Sequence, residues 1–413
     1  MRIDHKAKLV SDADRCVMCG LCSPRCPTYL KTRNEAESPR GRVALINALA
    51  SGQLAVTARL QAHVESCLLC RACEAICPSG VEVTALVDRA RAEMATDRHR
   101  SLRQRVFDLV LNNPRWLRLS GKALRWGEHS GLRALARYSG AMKAAGLNTA
   151  DDRLPEIPAQ PRLRRYYPAA GEPRGDVAMF RGCATAVFDM ATLLDATHVL
   201  NHLGINVHVP PDQVCCGALH QHNGAPEIAD SMAQKNVRAF DQRNIDAIVS
   251  VASGCTAMLA DYETLWHGVA GTPAFASKVT DINRFLIQTA WPAGTAVAPL
   301  RKRVAVHLPC SQAFGLRDTT STVELLRKIP DVDLVALPGN EICCGAAGSH
   351  MLTHSDMADA LLADKLAELT KIAPDILVTS NIGCALHFRH GLKKAGLDVE
   401  VLHPVALLRR QMT

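Results

Sequence analysis

The pattern of apolar and polar positions separates a helical first half of the chain from a second half in which strands and helices alternate. Apolar residues recur at helical spacing in residues 43–50 and again in residues 102–135, where Trp116 and Trp126 are interleaved. After residue 175, short β-branched runs alternate with helical patterns such as those of residues 228–240 and 357–369. This alternation predicts βαβ units with parallel sheets.

The alternating half is an internal repeat of two copies. Cys183, Cys215, Cys216 and Cys255 of the first copy match Cys310, Cys343, Cys344 and Cys384 of the second at offsets of 127, 128, 128 and 129 residues. Flanking sequence matches too, with residues 177–183 aligned to 304–310 and residues 246–255 aligned to 375–384. A repeat at this period indicates two copies of one domain, not a solenoid.

The repeated cysteines fall where an α/β sheet collects its ligands. In each copy the first and fourth cysteines follow predicted strands, and the Cys-Cys-Gly turn lies in a loop after another strand. Gly217 or Gly345 allows a sharp bend, so that two adjacent thiols can face one centre. Four thiols per copy therefore predict a metal cluster or a redox dithiol site. Buried, inert cysteines are the alternative, which the matched recurrence disfavours.

The other eight cysteines form two runs of the pattern C-x2-C-x2-C-x3-C-P, the spacing of bacterial two-cluster ferredoxins. Three thiolates on one tight loop can each reach a different iron of a cubane. The fourth, followed by proline, is predicted to start a helix and to point to the neighbouring cluster. We therefore expect one 4Fe-4S cluster on Cys16, Cys19, Cys22 and Cys77, and the other on Cys67, Cys70, Cys73 and Cys26. Zinc knuckles are the alternative, but they need no Cys-Pro signature.

Other polar residues near these motifs carry weaker predictions. Arg40 and Arg42 either neutralise cluster charge or hold a partner, or they only begin a helix after Pro39. Two histidines follow each Cys-Cys-Gly turn: His220 and His222 after the first, and His350 and His354 after the second. We expect them to lie at the surface or to form hydrogen bonds to metal ligands without binding the metal. His307 and His403 lie near strand ends, and the sequence gives no stronger reason to assign them a role at a metal site.

Composition and charge narrow the class of protein. The chain has 413 residues, 16 Cys and 48% hydrophobic residues, which suits two or three globular domains and excludes disorder. It contains no run of about 18 apolar residues and no apolar signal-peptide region. We therefore expect a reducing cytoplasm, in which 16 cysteines serve metal or redox chemistry and not disulfides.

The net charge of +8 resides in one segment. Residues 97–143 hold 11 Lys and Arg against 3 acidic residues, so the rest of the chain sums to zero. A basic amphipathic segment with tryptophan suits an anionic membrane surface or an acidic partner, and a solvated connector is the alternative. We expect no nucleic-acid partner, because no recognition motif accompanies the charge. Residues 154–174 contain five Pro and are predicted to be a linker.

These motifs together resemble the iron-sulfur subunit of bacterial glycolate oxidase (glycolate dehydrogenase). The resemblance rests on both ferredoxin runs, residues 38–42 (Ser-Pro-Arg-Gly-Arg), the two Cys-Cys-Gly turns, and the contexts 253–255 and 381–384. It implies an α+β chain: an N-terminal α-helical two-cluster ferredoxin module, a helical connector, and two repeated α/β CCG domains with small parallel sheets. The predicted boundaries are 1–95 (ferredoxin module), 96–175 (connector and linker), 176–295 (first CCG domain) and 296–413 (second CCG domain).

The resemblance also implies function. The chain is expected to be an electron-transfer subunit without a catalytic site of its own, carrying two 4Fe-4S clusters and, as an open alternative, one or two further iron-sulfur clusters in the CCG domains. FAD is expected on partner flavoprotein subunits that oxidise glycolate to glyoxylate. Electrons would pass through the CCG cluster or clusters and the two cubanes to a quinone or another membrane acceptor. The expected location is the cytoplasm, with peripheral contact to the cytoplasmic face of the inner membrane.

One departure from the wider family leaves alternatives open. The CCG motif of relatives ends in C-x2-C, whereas Met258 and His387 occupy the final positions here. A cluster with five thiolates would lose one ligand in each copy, so four-thiolate clusters, occupancy of one copy, or ligation by His387 are alternatives. The functional alternatives are an electron-transfer subunit for D-lactate or glycerol-3-phosphate dehydrogenase, a heterodisulfide-reductase-like enzyme, and a regulatory cluster protein.

Overall fold

The structure is a computed structural model. It describes residues 3–96, 102–144, 146–153, 155, 157, 161, 163–241, 244–266 and 268–412. Residues 97–101, which begin the predicted basic segment, lie outside this set.

The N-terminal module is helical. Its helices are α1 (Ile3–Asp14), α2 (Pro27–Thr32), α3 (Pro39–Ala50), α4 (Ala58–Glu65) and α5 (Val83–Thr96). Side-chain caps fix two of the helix starts: Ser38 accepts a hydrogen bond from the Gly41 amide, and Thr57 accepts one from the Leu60 amide. The helices bury a small apolar core that includes Ile46, Val64, Leu86 and Val87. The two cysteine loops lie between these helices.

The connector is also helical. Its helices are α6 (Leu102–Leu111), α7 (Pro114–His129), α8 (Leu132–Tyr138), α9 (Ala141–Ala144) and α10 (Asn148–Arg153). Asn113 caps α7 by accepting from the Arg115 amide, and Pro114 occupies the first helical turn, where no amide donor is needed. Arg133 and Arg137 both form ion pairs with Asp151, which ties α8 to α10.

The first repeat is a five-stranded sheet flanked by helices. The strands are β1 (Tyr166–Tyr167), β2 (Gly175–Phe180), β3 (Ile205–His208), β4 (Ala247–Ser250) and β5 (Val279–Asp281), in the order β1-β3-β2-β4-β5. Its helices are α11 (Ala184–Phe188), α12 (Met190–His202), α13 (Ala218–His222), α14 (Pro226–Asp241), α15 (Ser253–Ala260), α16 (Tyr262–Leu265), α17 (Thr272–Ala276) and α18 (Ile282–Gln288). All pairs are parallel except β1 with β3.

The second repeat has the same plan with four strands. The strands are β6 (Arg303–His307), β7 (Asp333–Ala336), β8 (Ile376–Thr379) and β9 (Glu400–Leu402), all parallel, in the order β7-β6-β8-β9. Its helices are α19 (Ser321–Leu326), α20 (His350–Thr353), α21 (Ser355–Ile372), α22 (Ile382–Ala395) and α23 (Pro404–Gln411), and residues Ser311–Gly315 form one π-helical turn. The predicted helical module followed by two repeats with small parallel sheets is confirmed.

The two repeats share one apolar core. Buried residues of both sheets, including Val177 and Val249 of the first and Val304 and Val378 of the second, belong to the same cluster. Hydrogen bonds join the ends of the strands: the Ser253 amide donates to the Ser380 carbonyl at 2.9 Å. The carboxyl edges of both sheets, with their cysteines, therefore lie beside the contact between the repeats.

Two local predictions are wrong. The proline-rich linker contains a strand, because Tyr166 and Tyr167 pair antiparallel with β3 and cover an edge that would otherwise be open. The second ferredoxin run does not start a helix at its Cys-Pro. There, Gly80 has a φ of +59°, and α5 begins only at Val83, where the Glu74 carboxylate accepts a hydrogen bond from the Thr84 amide at 2.6 Å. In the first run, Cys26 does cap α2, as predicted.

Candidate iron-sulfur centres

The two ferredoxin loops have the same unusual backbone. The third residue of each run, Met18 or Leu69, has a φ of +57° or +53°, and the fifth, Gly20 or Arg71, has a φ of +82° or +63°. Three of these residues carry a side chain, for which the left-handed region is unfavourable. Backbone strain of this kind collects at functional sites, where the surroundings enforce it. The matched strain indicates two loops shaped for the same task.

The second predicted ligand set surrounds a cavity. Cys67, Cys70 and Cys73 line it together with Cys26 from the other run. The structure thus brings the four sulfur atoms predicted for one cluster to a single space, including the exchanged cysteine. Burial raises the pKa of the Cys70 and Cys73 thiols well above the ordinary value.

A buried arginine lies beside this cavity. Arg42 is 1% exposed, and one guanidinium nitrogen is 3.9 Å from the Cys26 sulfur. It also bridges the two runs, with hydrogen bonds of 2.5–3.1 Å to the carbonyl and carboxylate of Glu37, the hydroxyls of Thr28 and Ser66, and the carbonyl of His63. Its positive charge is therefore placed next to the thiols of the buried set. Of the three roles predicted for Arg42, the geometry favours charge neutralisation.

The first predicted ligand set lies at the surface. Cys19 is exposed and Cys16, Cys22 and Cys77 are partly buried. The backbone amide of Arg40 donates to the Cys22 sulfur, but burial outweighs this and raises the Cys22 pKa. The Arg40 side chain donates to the carbonyl of Met18 at 3.1 Å and so supports the first loop.

The fourth residue of this set comes from the second run. Arg15, next to Cys16, donates to the carbonyl of Ser79, two residues beyond Cys77, at 3.3 Å. This hydrogen bond holds the end of the second run against the start of the first.

Four thiols converge in the first repeat. The sulfur atoms of Cys183 and Cys215 are 3.4 Å apart, and Cys216 contacts both Cys215 and Cys255. Gly217, with a φ of +88°, packs against Ala229, so no larger residue fits this turn. Cys255 lies in the first turn of α15, whose amino end adds positive potential to the site.

The second repeat holds the same chain of thiols. The sulfur atoms are 3.8 Å apart for Cys310 and Cys343 and 3.4 Å apart for Cys344 and Cys384. The contact with Cys343 and burial raise the pKa of Cys310 well above the ordinary value. At Gly345, with a φ of +95°, a Cβ atom would come 2.7 Å from a backbone oxygen. The structure therefore brings the predicted four cysteines together in each copy.

The two copies differ in one residue that the sequence reasoning left unassigned. A ring nitrogen of His307 lies within 4.8 Å of the Cys344 and Cys384 sulfur atoms, and all three residues are buried. The aligned residue of the first copy is Phe180. The repeat alignment contained this signal, since it sets a histidine opposite a phenylalanine three residues before the first cysteine of each copy.

The residues at the positions of the missing fifth cysteine, Met258 and His387, lie in different surroundings. Met258 is buried in the apolar cluster that contains Cys215 and Cys216. The Nε2 atom of His387 lies 3.2 Å from the carbonyl of Ala358. Among the described residues, the histidine that lies beside Cys344 and Cys384 is His307 and not His387.

Three of the four histidines after the turns contact other modules. His220 lies 2.8 Å from a carboxylate oxygen of Asp108, and His222 lies 3.0 Å from one of Asp88. His350 lies 3.3 Å from the carbonyl of Ser66 and stacks on His354. The first three connect the repeats to the connector or to the N-terminal module.

The second ferredoxin loop touches both repeats. Cys70 packs in one small cluster with Cys310 and Cys343 of the second repeat, together with Leu68. Arg71 forms an ion pair with Asp261 of the first repeat. The buried ferredoxin set is therefore the neighbour of the second-repeat thiols.

The donor sets fit iron-sulfur clusters. Each consists of four cysteine thiols, the ligands that iron-sulfur clusters use. Burial raises the pKa of Cys70 and Cys73, and the contact with Cys343 and burial raise that of Cys310, so that a metal bound by these thiols would displace their protons. Helix amino ends and buried cations supply the positive potential that a negatively charged cluster needs.

Three known families match segments of the chain. Residues 12–81 match the 4Fe-4S dicluster domain, and residues 177–260 and 304–389 match the cysteine-rich domain called CCG. Residues 98–151 match the linker region of the glycolate oxidase iron-sulfur subunit.

Similar proteins agree with these matches. A probable glycolate oxidase iron-sulfur subunit of Bacillus subtilis is 29% identical over 95% of this chain and 92% of its own length. The lactate utilization protein A of Macrococcus caseolyticus is 25% identical over 57% of this chain and 97% of its own length. The glycolate oxidase iron-sulfur subunit of Escherichia coli is 30% identical over 90% of this chain and 88% of its own length. The chain thus belongs to the family of glycolate oxidase iron-sulfur subunits and is an iron-sulfur protein.

Proposed function

We propose that the chain carries electrons within a flavin-dependent glycolate dehydrogenase complex. Oxidation of glycolate to glyoxylate releases two electrons and two protons, which the FAD of partner subunits would take up. The chain's clusters, when bound, accept and release one electron at a time. A quinone or another acceptor would finally take both electrons and two protons, so the reaction balances.

The contact of Cys70 with Cys310 and Cys343 carries this proposal. It makes the second-repeat site and the buried ferredoxin site neighbours, and the exchanged cysteines Cys26 and Cys77 make the two ferredoxin sites neighbours. The chain's residues thus provide an unbroken series of thiol sites that ends at exposed Cys19. We propose that electrons enter through the CCG side and leave at this end.

The same geometry supports a ligand assignment. We propose Cys16, Cys19, Cys22 and Cys77 for the exposed cluster, and Cys67, Cys70, Cys73 and Cys26 for the buried one. In the second repeat, Cys310, Cys343, Cys344 and Cys384 would hold a further centre. The matching thiols of the first repeat are a candidate for another.

The surface around Cys19 suits contact with a redox partner. Val17, Met18 and Leu21 are 69%, 47% and 53% exposed, so an apolar rim surrounds the end of the series. Apolar exposed patches of this kind mark interaction sites. A partner that covers this rim would exclude water and bring its own cofactor close.

The connector supports contact with an anionic membrane. On α7, Trp116, Leu119 and Trp126 are 49%, 54% and 65% exposed, and within the described part of the chain the four basic residues of this helix have no ion-pair partner: Arg115, Arg118, Lys122 and Arg125. Exposed tryptophan with unpaired arginine suits binding at the headgroup level. Arg133 and Arg137 are committed to Asp151 instead. In the described part of the chain, no helix is long and apolar enough to span a bilayer.

Co-purification tests the proposed function. The tagged chain, purified from its native host, should retain flavoprotein subunits, and the complex should reduce a dye with glycolate. D-lactate and glycerol 3-phosphate distinguish the alternative dehydrogenases. Recovery of the chain without any flavin would contradict the proposal. So would a complex that reduces the dye with D-lactate or glycerol 3-phosphate and not with glycolate.

A further inference from the structure

The second-repeat site contains an imidazole that is fixed from two sides. His307 is the last residue of β6 and is 2% exposed. Its Nδ1 lies 2.9 Å from the hydroxyl of Thr379, and its ring packs edge-on against Phe388 with 4.8 Å between the ring centroids. The hydrogen bond engages Nδ1, so a metal would bind Nε2. A histidine held by its other nitrogen in this way is typical of metal ligands.

The distances place His307 within the thiol group. Its ring nitrogen and the Cys344 and Cys384 sulfur atoms all lie within 4.8 Å of one another. Ligand atoms around one tetrahedral metal ion are separated by roughly 3.5–4 Å. Small side-chain adjustments would therefore bring all three onto one metal atom.

The first repeat lacks this arrangement at two matched positions. Phe180 takes the place of His307 and is 1% exposed. The second pair of matched positions is Asn236 in the first repeat and Lys365 in the second. Each lies seven residues after the alanine that packs on its Cys-Cys-Gly turn, Ala229 or Ala358. Asn236 bonds to backbone and to a tyrosine hydroxyl, whereas Lys365 is buried and its charge acts on Cys343 and Cys344. The second site alone, of the two, combines a nitrogen donor with a buried cation.

We propose that His307 is a ligand of the metal centre in the second repeat, completing a mixed cysteine and histidine set with Cys344, Cys384 and the adjoining thiols. The first repeat, with Phe180, offers thiols only. The two repeats thus differ in the centre they hold, and the site with the histidine is the one in contact with Cys70. This proposal rests on the assignment of a centre to the second repeat, which was made above.

Nitrogen hyperfine spectroscopy tests the proposal. The full chain, reconstituted anaerobically with iron and sulfide, is analysed for iron and by pulsed electron paramagnetic resonance in oxidised and reduced states. Samples with ordinary and with ¹⁵N-labelled histidine identify an imidazole ligand. The variants are H307F, which introduces the residue of the first repeat, and H307Q. The matched control is H387Q, which alters another buried histidine of the same domain.

The outcomes separate the ligand from the centre. The proposal predicts that the wild type binds more iron than the about eight atoms of two cubanes. It predicts a histidine nitrogen coupling that H307F and H307Q lose and that H387Q keeps. Both His307 variants should also retain the additional iron at least about tenfold more weakly. The cubane signals of each variant report that the fold persists, and H307Q decides if H307F does not fold. Additional iron without a nitrogen coupling, or a coupling that survives both substitutions, refutes the role of His307. No additional iron in the wild type refutes the centre itself.

Discussion

Substitution of Arg42 by leucine removes the buried cation beside Cys26 and leaves the Glu37 carboxylate without its main partner. Arg42 is 1% exposed and its guanidinium lies 2.5 Å from that carboxylate. Loss of one member of a buried ion pair costs about 3–5 kcal/mol. We therefore expect the urea midpoint, followed by the visible absorbance of the clusters under anaerobic conditions, to fall strongly.

The same substitution changes the electrostatics of the buried cluster. The guanidinium lies 3.9 Å from the Cys26 sulfur. If its unit charge is taken as roughly 7 Å from the centre of a cluster bound there, it contributes about 2 kcal/mol at an effective dielectric constant of about 20. For a one-electron couple this is equivalent to roughly 100 mV. Because a positive charge favours the reduced cluster, R42L should lower the reduction potential by this order of magnitude, as measured by anaerobic redox titration.

R42K separates the two effects. Lysine keeps the charge but cannot reproduce the forked hydrogen bonds, so R42K should lose stability and keep most of the potential. If R42L leaves both the midpoint and the potential unchanged, the reasoning is wrong. Equal shifts of potential in R42K and R42L would show that hydrogen bonding and not charge sets the potential.

Three further predictions concern the ligands, the second repeat and pH. C26S should abolish the signal of the buried cluster and C77S that of the exposed one, each with loss of about four of the irons; the opposite pairing would refute the exchange of ligands. K365M should lower the potential of the second-repeat centre, whereas K371M, on the exposed side of the same helix, should not; equal effects in a redox titration would contradict a local role of the buried charge. Burial raises the pKa of Asp281 to about 7, so the folded chain holds more protons than the unfolded chain between about pH 4 and 7. The free energy of unfolding should therefore fall as the pH rises through this window, by up to about 1.4 kcal/mol per pH unit. D281N should flatten that slope in urea titrations at several pH values, and an unchanged slope would contradict this origin.

Short-range features of this chain could be predicted from its sequence. The ferredoxin motif spans only a few consecutive residues. Its spacing therefore predicts the tight loops around Met18 and Leu69 directly. The repeat and its strands could be predicted because buried parallel strands need runs of β-branched residues. The convergence of four thiols in each repeat follows from the edge at which such strands end.

Features that depend on how modules dock could not be predicted. The contact of Cys70 with Cys343 joins residues far apart in the chain, and no periodicity in either segment indicates the partner. The sequence left a helix start, a partner contact and charge neutralisation open for Arg42, and its burial between two loops favours the last. His307 appeared ordinary because a histidine at a strand end is usually part of a core; its meaning came from the fold that sets it beside Cys344 and Cys384.

Rapid mixing of the purified complex with glycolate tests the central claim most directly. Stopped-flow absorbance follows the flavin and the clusters separately, and freeze-quenched samples identify which cluster is reduced. The proposed electron path predicts that the clusters of this chain become reduced at least as fast as the complex turns over, and that C26S interrupts the path beyond the CCG side. A flavin that is reduced and reoxidised at the full turnover rate while these clusters stay oxidised would contradict it.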